Sequence, residues 1–130
     1  MNWRVGQNTG NVYSPDGKLA GKCYMGGNLG KVPAAINNHD YERVPKTGPL
    51  PIGFYTIQTP IEGSPLGKFA MPLLPDASNV MYGRSGFFWH GDSQIPFCGS
   101  EGCIVSAPAL RHNVWDSADH RVEVFLEQQS

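Results

Sequence analysis

Glycine and proline interrupt this chain so often that short strands joined by turns are the only regular structure most of it can hold. With 16 glycines and 11 prolines in 130 residues, the backbone is repeatedly offered left-handed and fixed-φ positions that end helices. Hydrophobic residues still make up 40% and charged ones only 16%, enough apolar material for a core. The length suits one ordinary domain spanning residues 1–130. The expectation is a mostly β chain with one core.

Strand-like runs fall between the turn signals. They are Trp3 to Val5, Val12-Tyr13, Leu19 to Met25, and the Pro/Gly-led segment Thr47 to Ile57, whose aromatic and β-branched end is the clearest strand. Weaker candidates lie at Lys68 to Met71 and Asn79 to Tyr82. Phe87-Phe88-Trp89-His90 reads as a buried strand ending in a polar residue, Cys103-Ile104-Val105 as another, and Arg121 to Glu127 as a half-buried closing strand. Pro33 to Asn38 predicts one helical turn followed by an exposed loop. A single true helix is expected through Ala107 to Trp115, capped by Ser106, with Leu110 and Val114 on one face.

Ten basic residues against eleven acidic ones leave a net charge of -1 without a basic run, so nucleic acid is not expected as a partner. No apolar stretch approaches a membrane span, and the first residues, Met1 to Gln7, lack the pattern of a secretory signal. A monomer is expected. The three cysteines, Cys23, Cys98 and Cys103, are an odd number, so a disulfide framework is not the main design.

The window from His90 to Val105 combines a strand-end histidine, two cysteines and three glycines. A thiol becomes an effective nucleophile only when a base or cation draws off its proton, and imidazole is the usual partner. Cys103 follows His90 by thirteen positions, room for a loop that leaves one strand and returns beside it. These two are the candidate nucleophile and base. Gly102 permits close approach of backbone N–H groups to a reacting oxygen, the makings of an oxyanion hole. Ser100, with Asp92 as its rival, is the candidate to orient the imidazole.

The segment Ser100-Glu101-Gly102-Cys103-Ile104, preceded by Phe88-Trp89-His90-Gly91, resembles the His-Gly and Ser-x-Gly-Cys signature of the L,D-transpeptidase catalytic domain. Thr47 to Ile57 is similar to that family's Pro/Gly-led strand. The matched segments lie within residues 47–111. Two departures are visible. Val105 stands where the family has an arginine, and the interval from His90 to Cys103 is short. Both features, with the short chain, resemble the compact L,D-transpeptidase-like toxins of bacterial type VI secretion.

The resemblance implies an L,D-transpeptidase-like β-sandwich with one short helix after the cysteine. It also implies attack by Cys103 on a peptidoglycan stem tetrapeptide, releasing the terminal D-alanine through a thioester. Water as acceptor makes an L,D-carboxypeptidase; an amine makes an L,D-transpeptidase. No cofactor or metal is implied. Arg111 is a candidate to replace the missing arginine at the substrate carboxylate. Delivery as a secreted effector to a target-cell periplasm, and an immunity protein as partner, follow from the resemblance alone. The alternatives are a phage or housekeeping cell-wall enzyme of the same fold, or a non-enzymatic wall-binding β domain.

Plainer roles stand beside these. Cys98 reads as packing, as half of a bridge to Cys23, or as a redox partner of Cys103. A zinc site from His90, Cys98 and Cys103 lacks a fourth ligand. His39, His112 and His120 read as surface residues, Trp3, Trp89 and Trp115 as core, and Arg43, Lys46 and Arg84 as solvated surface.

Overall fold

A computed structural model describes residues 1–62, 67–95, 97 and 99–128. Nine short strands and one helix follow one another as β1 (Trp3–Gly6), β2 (Asn11–Tyr13), β3 (Leu19–Lys22), β4 (Tyr24–Met25), β5 (Gly53–Ile57), β6 (Met71–Pro75), β7 (Phe88–His90), β8 (Ile104–Val105), α1 (Pro108–Asp116) and β9 (Arg121–Phe125). Hydrogen bonding orders the strands β3-β2-β1-β9-β5-β6-β7-β8-β4. The two outermost strands, β3 and β4, are consecutive in the chain and only Cys23 separates them. The sheet must therefore curl until its ends nearly meet, giving a nearly closed barrel or sandwich.

That closure explains a tight contact. The Cys23 amide donates to the Gly10 carbonyl at 2.8 Å, and Gly10, at φ 75°, leaves no room for a Cβ beside the Cys23 carbonyl. The expected run Leu19 to Met25 is thus two strands, because the chain changes partners at Cys23: β3 pairs with β2, whereas β4 pairs with β8.

The core fills the curl. Val5, Val12, Tyr55, Met71, Trp89, Ile104, Val114 and Val122 are fully buried, each such aliphatic side chain contributing about 1.5–3 kcal/mol on leaving water. In β9, Val122 and Val124 are buried while Arg121, Glu123 and Phe125 are half-buried, the alternation of a strand with one face inward. Trp3 and Trp89 lie in the core, and Trp115 packs against its edge. The helix closes one opening by laying Leu110 on Gly21, where a Cβ would meet the leucine at 3.0 Å.

Three local expectations shift. The strand candidate at Lys68 to Met71 is displaced to β6, whose Pro72 and Pro75 lack amide donors; the Pro72 carbonyl still accepts from Gln58 at 2.9 Å. Asn79 to Tyr82 is a turn instead of a strand. There the Asn79 side-chain amide both accepts from the Phe54 amide and donates to the Phe54 carbonyl, substituting for a strand neighbour. The helix cap is Ala107 and not Ser106. The Ser106 hydroxyl instead accepts from the Trp89 indole N–H at 2.9 Å, because a buried indole needs an acceptor. Among the described residues, no helix is long and apolar enough to cross a membrane.

Candidate active site

Strand β7 is apolar because it lies inside the curl, between β6 and β8. Its pairing with β8 is parallel, in the register Trp89 to Ile104 and His90 to Val105. Side chains alternate between sheet faces, so Trp89 and Ile104 point into the core while His90 and Val105 share the opposite face. Phe88 opens β7 and Cys103 immediately precedes β8. The loop after His90 thus returns beside the strand it left, and brings Cys103 alongside Phe88, two residues before His90.

Each of the pair has a fixed partner. The Phe88 amide donates to Cys103 Sγ at 3.4 Å, and His90 Nδ1 contacts the Gly91 carbonyl at 2.6 Å. A carbonyl can only accept, so Nδ1 carries the proton and Nε2 the basic lone pair. The orienting partner of the imidazole is therefore the Gly91 carbonyl, not Ser100 or Asp92. Among the described residues no hydrogen bond joins the thiol to the imidazole directly. Such contacts commonly tighten only when substrate is bound.

Ser100 is buried and has a different task. Its hydroxyl accepts from the amides of Gly26 at 2.8 Å and Gly102 at 3.0 Å and donates to the Cys103 carbonyl at 2.8 Å. It knots the turn that presents the cysteine. The Gly102 amide, bound to Ser100, is consequently not a free oxyanion donor in this structure. Gly102 is required for another reason: at φ 130° a Cβ would collide with Arg84 and stand 2.9 Å from the Phe87 ring. Asp92 accepts from the Tyr24 hydroxyl and from the amides of Ser93 and Phe97, pinning the loop after Gly91.

Arg84 corrects the reading as solvated surface, for only 7% of it is exposed. Its guanidinium donates to the carbonyls of Glu42 (2.5 Å), Pro49 (2.8 Å), Gly48 (2.9 Å) and Glu101 (3.3 Å). This ties residues 42–49 to the turn before Cys103. No feature of a single sequence distinguishes such an arginine, set in Tyr82-Gly83-Arg84-Ser85-Gly86, from one on a surface turn. The hydrogen-bonded Gly91 carbonyl is equally invisible, since every residue has one.

Cys103 opens onto a cleft of ≈ 340 Å³ whose lining includes Lys46, Arg84, Phe88 and Glu101. Farther along the same face, Val105 lines a larger hollow of ≈ 590 Å³ with Lys22, Lys68, Asp92 and Arg111. Arg111 is buried and its guanidinium is engaged by the carbonyls of Ser106, Phe69 and Lys68. Cys23, on the same hollow, is a free thiol, and burial pushes it up to about 12, so it stays protonated at neutral pH. Cys98, and with it the readings as packing, bridge or redox partner, lies outside the described residues.

Among the other histidines, His39 Nδ1 is 2.8 Å from Gln7 Oε1, His112 lies against Phe69, and His120 stacks on Trp115 with ring centroids 3.8 Å apart.

Burial pushes the Cys103 thiol above its ordinary value of 9.0; the Phe88 amide and the Arg84 charge pull it back, and Glu101 opposes them. Burial likewise lowers His90 below 6.5; the Gly91 hydrogen bond and Asp92 act upward and Arg111 downward. Both shifts favour the neutral forms, a thiol beside a neutral imidazole, over a thiolate–imidazolium pair. Alkylation of Cys103 by iodoacetamide, followed by peptide mass mapping, is therefore expected to be slow at pH 7 and to climb only above pH 9. A rate already at its plateau by pH 6 would show a preformed ion pair.

The family model of the Tlde1 domain matches residues 30–126. The chain belongs to the Tlde1 domain family. Tlde1 domains are type VI effector domains of L,D-transpeptidase-like kind, so the resemblance carried by His90 to Cys103 is met by the greater part of the chain.

The fold of this Tlde1 domain is also similar to that of Bd1075 from Bdellovibrio bacteriovorus, with a TM-score of 0.58 and 17% identity over 95% of this chain and 47% of the other. A carbamoyl enzyme of the L,D-transpeptidase Ldtfm with avibactam gives 0.57 and 16%, over 98% of this chain and 49% of that one. The Tlde1 chain thus spans about half the length of either. No curated protein matches the sequence.

Proposed function

We propose that this Tlde1 domain is a cysteine-dependent enzyme that cuts or exchanges the peptide stems of bacterial peptidoglycan. The observation that carries the reading is Cys103 lining a cleft, alongside the strand that ends in an imidazole whose Nδ1–H is held by the Gly91 carbonyl. With Nε2 unprotonated, His90 takes the thiol proton as sulfur attacks the carbonyl of the L-centre residue of a stem tetrapeptide. The C–N bond to the terminal D-alanine then breaks, the departing nitrogen receives that proton from His90, and a thioester remains on Cys103. Water, activated by the same imidazole, releases the trimmed stem; a free D-amino acid or the side-chain amine of a second stem gives exchange or cross-linking.

Membership of an effector family supports delivery into the periplasm of a target cell, with an immunity protein guarding the producer. The test incubates the reduced protein with disaccharide-tetrapeptide and follows products by mass spectrometry. Loss of one D-alanine, or its replacement by an added D-amino acid, is expected with the wild type and not with His90→Ala. Absence of either product from the folded, reduced wild type would leave a wall-binding domain without this activity.

A further inference from the structure

The Gly91 carbonyl that holds the imidazole belongs to the residue immediately after the histidine, in a loop, and a glycine peptide is free to rotate unless something holds it. What lies against it is Arg111, delivered by the first turns of α1. A Cβ placed on Gly91 would stand 3.1 Å from Arg111 Nη1 and 3.3 Å from Nη2, so the guanidinium packs directly on that peptide. Three of its five N–H donors are committed to backbone carbonyls. Nη1 donates to the Ser106 carbonyl, Nε to the Phe69 carbonyl at 3.2 Å, and Nη2 to the Lys68 carbonyl at 3.4 Å. Ser106 in turn donates its amide to the His90 carbonyl at 3.1 Å. One side chain thus braces the residues after β8, those before β6, and the peptide after β7.

We propose that Arg111 is the positioning residue of His90: it clamps the Gly91 peptide whose carbonyl accepts the imidazole Nδ1–H, and so presents Nε2 toward Cys103 as the basic nitrogen. The role rests on the enzymatic reading for its consequence in catalysis but not for its geometry. It differs from the expectation that Arg111 binds a substrate carboxylate, because three of the five guanidinium donors are already held by backbone carbonyls. Among the described residues no carboxylate pairs with it, so its positive charge also disfavours the imidazolium. The charged groups acting on the imidazole are Asp92 from its own loop and Arg111 from α1, and the residue paired with it in β8 is Val105, which does not titrate. On the other side β6 pairs Met71 and Pro72 with β7, and neither titrates.

The test reads the imidazole itself, in long-range ¹H–¹⁵N spectra of ¹⁵N-histidine-labelled protein. Four histidines give few signals, and His90 is identified by its absence from His90→Gln. In the wild type, the spectrum of the Nδ1–H tautomer and a midpoint below 6.5 are expected. In Arg111→Met a mixed tautomer is expected, because the Gly91 carbonyl no longer holds one ring nitrogen. Gly91→Ala, which keeps the arginine but pushes it off the peptide, should also mix the tautomers and keeps the test decisive if Arg111→Met does not fold.

In stem-peptide turnover, Arg111→Met should lower kcat by roughly ten- to a hundredfold with KM little changed. A tautomer unmoved in both variants would overturn the proposal. So would a raised KM with an unperturbed imidazole, which would make Arg111 a substrate clamp. An inactive wild type would count against the enzymatic reading alone, since the spectra decide the positioning role without turnover.

Discussion

Cys103→Ser is expected to abolish the release of D-alanine, with turnover falling on the order of 10³-fold or more, while the melting temperature stays close to that of the wild type. Intact mass spectrometry should find a stem-peptide adduct on the wild type and none on the variant. The size of the effect follows from the chemistry of the site. A hydroxyl is far less acidic than a thiol, and the single base nearby is an imidazole held below its ordinary 6.5, too weak to activate an alcohol efficiently. The small effect on stability follows from the position, because Cys103 is only partly buried and sits at the rim of a cleft. Unchanged turnover in Cys103→Ser would remove the nucleophile from the mechanism and leave the cysteine as packing.

Arg84→Met is expected to be the most damaging substitution for the folded state. It removes donors from four backbone carbonyls, those of Glu42, Gly48, Pro49 and Glu101. A buried carbonyl left without a donor costs about 1–3 kcal/mol. Relaxation and entry of water reduce the sum, so a net loss of about 3–5 kcal/mol is expected, or a fall in melting temperature of about 10 °C or more. Activity should fall with it even in the folded fraction, because the Glu101 anchor sets the turn that presents Cys103 and the Arg84 charge helps restrain the rise of the thiol pKa. Arg84→Lys should recover only part of the loss, since an ammonium lacks the planar fork that spans several carbonyls. A calorimetric melt of Arg84→Met within a few degrees of the wild type would show that the loop from 42 to 49 holds itself in place.

The contrast between these two residues shows which information is local. Cys103 and His90, the proposed nucleophile and base, stand out in the linear chain because one loop between adjacent strands joins them and keeps them close in sequence. The strand from Gly53 to Ile57, the buried run ending at His90 and the helix after Val105 are legible for the same reason: side-chain periodicity and Pro/Gly punctuation act over a few residues. The candidate at Lys68 to Met71 falls short of β6 because β6 holds Pro72 and Pro75, and the Pro72 carbonyl nonetheless accepts from Gln58. Ser106 looked like a helix cap because its residue type fits one, yet a buried indole across the sheet claimed its hydroxyl.

By itself, the sequence determined that the chain would be strand-rich with one short helix, and that a glycine-bearing loop would bring Cys103 back beside the strand that ends in His90. Those outcomes depend on neighbours a few residues apart. Only the tertiary structure decided that β3 and β4 close the sheet around Cys23, that Arg84 is interior, that Ser100 ties the cysteine turn instead of the imidazole, and that the Gly91 carbonyl orients His90. Each of these is a pairing between segments distant in the chain or a choice among chemically equivalent backbone groups, and residue type carries no mark of which partner packing will bring within reach.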